Sequence, residues 1–298
     1  MLAGPAGRAR RRGDDVALAE RLRGDHRLLD VIARALVLRH EEAGDAREDL
    51  HRLRRGDERA REIVGLALRR HELDGVARVL HAAGWTVRLP LHPGHGRALR
   101  AFDAWTAEEL IARARDEYQA LRATHRTVVV GGISMGGAVA CWLAADSEPD
   151  GVLLFAPMLF VPRPMEVAVS TARLWSLFTK YISGGGRRSI HDPEAQRRMV
   201  SYGCSTRRSL EALDRLAKGT TVRLGFVKAP TLVIQSEQDN RLPHEQSVHA
   251  LARLGAKDRT LVWTRGAGHV ITVDFGWQEL AARTVAWLSA RWGEAPAP

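Results

Sequence analysis

A chain of 298 residues with 45% hydrophobic content can bury a full core, as one large α/β domain or two smaller ones. No apolar run reaches the roughly 18 residues that a membrane span needs. The net charge of +10 rests on 45 basic residues, of which only Lys180, Lys218, Lys228 and Lys257 are lysine; the arginines are scattered among acids, a pattern of coding bias that excludes a focused nucleic-acid patch.

Residues 1–60 form an atypical segment, crowded with Arg, Ala, Asp and Glu, and the chain holds no Phe, Trp or Tyr before Trp85. The basic residues Arg8, Arg10, Arg11 and Arg12 are not followed by an apolar stretch of signal-peptide type, so a cytoplasmic protein is expected. Strand character upstream is weak. It is confined to Glu62-Ile63-Val64 and to residues 31–38, which fit a helix equally well.

From Trp85 onward strands alternate with helices. Strands are expected at 86–90, 127–131, 151–155, 231–235 and 260–264, and helices at 107–122, 134–145 and 278–291. Continuously apolar strands separated by helices indicate a parallel sheet covered on both faces. Between 160 and 226 the rhythm stops. That stretch is helical in pattern (166–181, 193–201, 207–218) and is interrupted by the glycine-rich residues 184–188, which no GK[ST] follows. It reads as a helical cap inserted into a domain spanning 61–298. The side chains of Leu174, Trp175, Phe178 and Tyr181 could line a pocket there or pack the cap on the core; Trp175 and Phe178 are the candidate pocket residues.

Cys141 and Cys204 fit no disulfide framework, C-x-x-C pair or zinc site, and no metal or cofactor is expected. The chemistry points elsewhere. Gly132-Ile133-Ser134-Met135-Gly136 joins the strand at 127–131 to a helix-forming run, which is the strand–turn–helix of a nucleophile elbow. Glycines two before and two after the serine relieve a turn too tight for side chains. A serine hydroxyl needs a base, and the base an orienting carboxylate, in the chain order Ser, Asp or Glu, His. Asp239 follows the strand at 231–235. Glu237 is its rival, and the Asp239-to-Pro243 turn favours the aspartate. Among 12 histidines, position selects His269, in a Gly-Ala-Gly-His loop after the strand at 260–264.

These residues resemble the bacterial carboxylesterase and monoacylglycerol-lipase group of α/β hydrolases. The likeness is carried by Gly132-Ile-Ser-Met-Gly-Gly137, Ala229-Pro-Thr-Leu-Val-Ile234 leading to Asp239, Gly268-His-Val-Ile-Thr272, the Leu89-Pro-Leu-His-Pro-Gly-His-Gly96 loop and Trp105. It implies the α/β-hydrolase fold, with small-molecule substrates, short- to medium-chain acyl esters or monoacylglycerols, and no metal or cofactor. It also implies an oxyanion hole built from the backbone N–H groups of Met135 and Leu66. The chain departs from the pattern before Leu66, where Val64 replaces a histidine and the usual glycine-rich turn reads Leu66-Ala-Leu-Arg-Arg70. A shifted reading frame or a misplaced start upstream of His71 would leave such a break, as would a diverged helical N-terminal extension, and the encoding DNA decides that point. The same triad also serves thioesterases, acyltransferases and serine peptidases, and an impaired hole would leave an acyl-binding scaffold.

Overall fold

The computed structural model describes residues 61–66, 70–92, 94, 101, 103–183, 189–198 and 203–293. Residues 1–60 and 184–188, with the readings made on them, lie outside that set. Its centre is a six-stranded sheet. The strands are β1 (Arg61–Leu66), β2 (Thr86–Arg88), β3 (Thr127–Ile133), β4 (Gly151–Phe155), and, past two short strands described below, β7 (Thr231–Ser236) and β8 (Arg259–Thr264). They lie in the order β2-β1-β3-β4-β7-β8, and every neighbouring pair is parallel. This is the doubly covered parallel sheet expected from unalternating apolar strands.

Burial follows the pleat. Val128, Val130, Val152, Leu154 and Val233 point to one face, where they join α2 (Ala107–Arg122) and α3 (Met135–Ser147) in one apolar core. Val129, Ile133, Leu153, Phe155, Leu232 and Ile234 point to the other, where α1 (Asp74–Ala82) and α9 (Trp277–Trp292) close a second core. Leu154 is fully buried. Leu154→Ala is therefore expected to destabilise the chain by about 2–5 kcal/mol, read as a lowered urea midpoint.

β1 is fuller than its sequence suggests. Its residues Arg61–Leu66 pair with β3 throughout, and Glu62, Ile63 and Val64 also pair with β2. An interior place between two strands, with Ile63 buried, overrides the weak local propensity.

The segment between β4 and β7 is helical, with α4 (Arg163–Ser170), α5 (Ala172–Trp175), α6 (Pro193–Arg198) and α7 (Arg207–Arg223). It also contains the short antiparallel pair β5 (Ile182–Ser183) and β6 (Cys204–Ser205), which the helical pattern hid. The expected single helix over 166–181 breaks at Ser170 and Thr171. Both hydroxyls bond to the Val167 carbonyl, at 3.0 and 2.7 Å, beside the Thr171 N–H at 3.1 Å. The last long helix before β8 is α8 (His244–Ala252). Cys141 lies wholly inside the core on α3, and burial pushes its thiol up to about 12, which leaves it a packing residue without nucleophilic character.

Candidate active site

The site forms at the carboxyl ends of β3, β7 and β8, where open α/β sheets bind ligands. β3 runs straight into Ser134, which adopts φ 53°, ψ −114° before α3 begins at Met135. A left-handed, non-glycine conformation costs about 1–3 kcal/mol and persists only when its surroundings hold it. Here they do. The Ser134 N–H donates to the Phe155 carbonyl at 3.0 Å, and the Ser134 carbonyl accepts from Ala138 N–H at 3.2 Å and Met158 N–H at 3.0 Å. One turn later Gly137 lets α3 press on Pro157, since a Cβ there would sit 2.7 Å from the proline Cβ. The strain turns the hydroxyl out above the sheet. The Met135 N–H beside it belongs to the first turn of α3, whose donors have no carbonyl one turn back to bind.

Asp239 sits in the turn after β7. One carboxylate oxygen accepts from Arg241 N–H and Leu242 N–H, at 2.8 and 2.9 Å; the other accepts from the Gln235 amide at 2.9 Å and His269 Nδ1 at 2.8 Å. Its side chain is 1% exposed. Burial alone would raise the carboxyl pKa, but the adjacent imidazole and the backbone N–H donors outweigh it and hold the group below the ordinary aspartate range. Glu237, the rival, is exposed and paired with Arg265 at 2.7 Å.

His269 completes the chain. Its Nδ1–H donates to Asp239, so its Nε2 is free to accept from Ser134 Oγ, at 2.7 Å. Carboxylate, imidazole and hydroxyl stand in one line. Such a line can move the serine proton as a carbonyl is attacked, and return it to a leaving group. The loops that carry the acid and the base are fastened together. Ser236 Oγ donates to the Ala267 carbonyl at 2.6 Å, and the Gln238 amide oxygen accepts from Gly266 N–H at 2.6 Å.

The remaining sequence-derived candidates are placed as follows. Leu66 ends β1, in register with Gly132 of β3; residues 67–69 beyond it lie outside the described set. Trp105 is buried against Gly94; His95 and Gly96 of the loop it follows lie outside the described residues. The pocket pair lies in the segment between β4 and β7. Phe178 is 82% exposed. Trp175 is half-buried, with its indole N–H on the Ala168 carbonyl at 2.8 Å.

Sequence reasoning missed Gln235, a buried amide on the triad carboxylate. It also missed Asp274 and the Ser189–Asp192 stretch, which brace the His269 loop. Gln235, the penultimate residue of β7, was within reach of the pattern. Asp274 and its partners were not, because they meet through main-chain atoms.

Fold and site together define an α/β hydrolase with a Ser-His-Asp triad. Residues 65–275 match the Hydrolase_4 family model, described as serine aminopeptidase S33, and the chain belongs to that family. It is similar to a thermostable monoacylglycerol lipase of Bacillus sp. (strain H-257), with 24% identity over 225 residues covering 75% of this chain and 87% of the relative. It is also similar to a carboxylesterase of Bacillus subtilis (strain 168), with 23% identity over 201 residues covering 67% and 79%. Among solved structures, one from a study of two metagenome-derived lipolytic enzymes superposes with a TM-score of 0.70 at 22% identity, covering 78% of this chain and 95% of that one. Among the described residues no cluster of His, Cys, Asp and Glu could hold a metal, and no helix is long and apolar enough to cross a membrane.

Proposed function

We propose that the protein is a serine hydrolase that cleaves carboxylic esters, short- to medium-chain acyl esters or monoacylglycerols, through an acyl-enzyme intermediate. The observation that carries this reading is the unbroken hydroxyl–imidazole–carboxylate chain, at 2.7 and 2.8 Å, beneath a strained serine. Ser134 attacks the ester carbonyl while His269 takes its proton, and Asp239 stabilises the imidazolium. The N–H groups of Met135 and Leu66 receive the oxyanion. His269 then gives its proton to the leaving alcohol and activates water for deacylation. The domain responsible spans 61–298, and the insertion at 160–226 acts as a cap that holds the acyl group.

The test pairs a probe with a substrate panel. A fluorophosphonate is expected to label Ser134. p-Nitrophenyl esters from acetate to palmitate, with monoacylglycerols alongside, are expected to be hydrolysed with a maximum at short or medium chain length. Aminoacyl p-nitroanilides are expected to stay intact. Labelling without ester turnover would move the reading to an acyltransferase or thioesterase, and no labelling to an acyl-binding scaffold.

A further inference from the structure

Asp274 is completely buried, and main-chain N–H groups converge on its carboxylate. One oxygen accepts from Gly268 N–H at 2.7 Å and His191 N–H at 2.8 Å; the other accepts from Asp192 N–H and Phe275 N–H, both at 2.8 Å. A buried carboxylate is costly, and four such donors meet its lone pairs with charge-assisted bonds. Two of the donors come from the segment between β4 and β7. A third belongs to the residue immediately before His269.

The same two stretches are joined around this carboxylate by other bonds. The Ser189 carbonyl accepts from both His269 N–H and Val270 N–H, at 2.8 and 3.1 Å. The His191 ring donates from Nδ1 to the Gly266 carbonyl at 2.9 Å. Arg241, whose own N–H binds the triad carboxylate, reaches Ser189 Oγ through Nε at 2.7 Å. Gly268 passes so close that a Cβ there would stand 2.6 Å from the Ser189 carbonyl oxygen.

We infer that Asp274 is a positioning residue: it clamps the inserted segment at Ser189–Asp192 onto the His269 loop and so holds the imidazole in line with Ser134. This rests on the ester-hydrolase reading for its kinetic readout only. The imidazole has no main-chain freedom of its own, because the backbone on both sides of it is bonded either to Asp274 or to the segment that Asp274 holds. A displacement of about 1 Å at the reacting atoms costs about 10²-fold in rate.

The test uses the full chain with Asp274→Asn. An asparagine offers one acceptor atom, so two of the four N–H donors would face an amide NH₂. The expected result is a fall of about 10²-fold in kcat for p-nitrophenyl butyrate, with KM changed less than about twofold. The downfield proton signal of His269 Nδ1–H, which the 2.8 Å bond to Asp239 is expected to keep sharp in the wild type, is expected to broaden or vanish in the variant. Gly268→Ala strains the same joint with Asp274 intact and is expected to act in the same direction, which covers the case in which the asparagine variant fails to fold. A lowered Tm with unchanged kcat and an unchanged proton signal would make Asp274 a fold residue only and overturn the inference. If the wild type proved inactive towards esters, the function would be wrong, while the proton signal would still decide the positioning role.

Discussion

Ser134→Ala is expected to lower ester turnover by about 10⁶-fold, to the level of the uncatalysed background plus whatever the oxyanion donors alone supply. The substitution removes one oxygen, the atom 2.7 Å from His269 Nε2. It leaves the Cβ, the backbone bonds to Phe155, Ala138 and Met158, and the left-handed φ as they were. The Tm is therefore expected to stay within a few degrees of the wild type, so that lost activity and lost fold separate cleanly. Fluorophosphonate labelling should vanish with the activity. Turnover within tenfold of the wild type would mean that another nucleophile does the work, and the assignment would fall.

The second large effect is Asp239→Asn, expected to cost about 10⁴-fold in kcat at neutral pH. The amide that replaces the carboxylate can donate to Nδ1. The imidazole would then carry its proton on Nε2, pointing at Ser134, and could not accept the hydroxyl proton. The stability difference between the wild type and this variant should depend on pH in a defined direction. The folded-state pKa of Asp239 lies below its unfolded value. Its stabilising contribution is then fully present above about pH 4, and it is lost as the pH falls through the folded value. The Tm gap between wild type and Asp239→Asn should be widest above that range and narrow below it. A gap that grew on acidification would show that the carboxylate is not stabilised as its neighbours imply.

How much of this was legible in the sequence depends on where the information sits. The elbow was legible because it needs glycines at fixed spacing and a β-branched strand before it, both local properties. His269 was legible by chain order. The choice of Asp239 over Glu237 rested on turn chemistry. In the structure that turn is real: the Asp239 carboxylate caps the N–H groups of Arg241 and Leu242, just before Pro243 opens α8. Burial finishes the choice, since Glu237 faces solvent against Arg265. β1 was only faintly legible, because an interior strand draws its stability from both neighbours. Asp274 was invisible. Two of its donors are backbone N–H groups more than 80 positions upstream, and main-chain groups leave no trace in residue identity. The interruption of the 166–181 stretch was not legible, because Ser170 and Thr171, where α4 gives way to α5, are flanked by neither glycine nor proline.

The strand order has a consequence for how the chain acquires its shape during synthesis. β1, β2, β3 and β4 can emerge and pair in sequence, but β4 must wait for residues 156–230 to be made before β7 arrives beside it. Closing so long a loop costs entropy before any ladder bond rewards it, so this pairing belongs to the slow, late phase of folding. Until then the free side of β4 is an apolar edge open to wrong partners. Three of the residues that make the triad and its brace, Asp239, His269 and Asp274, all lie beyond that join, so the half-made chain holds its serine without the groups that would activate it.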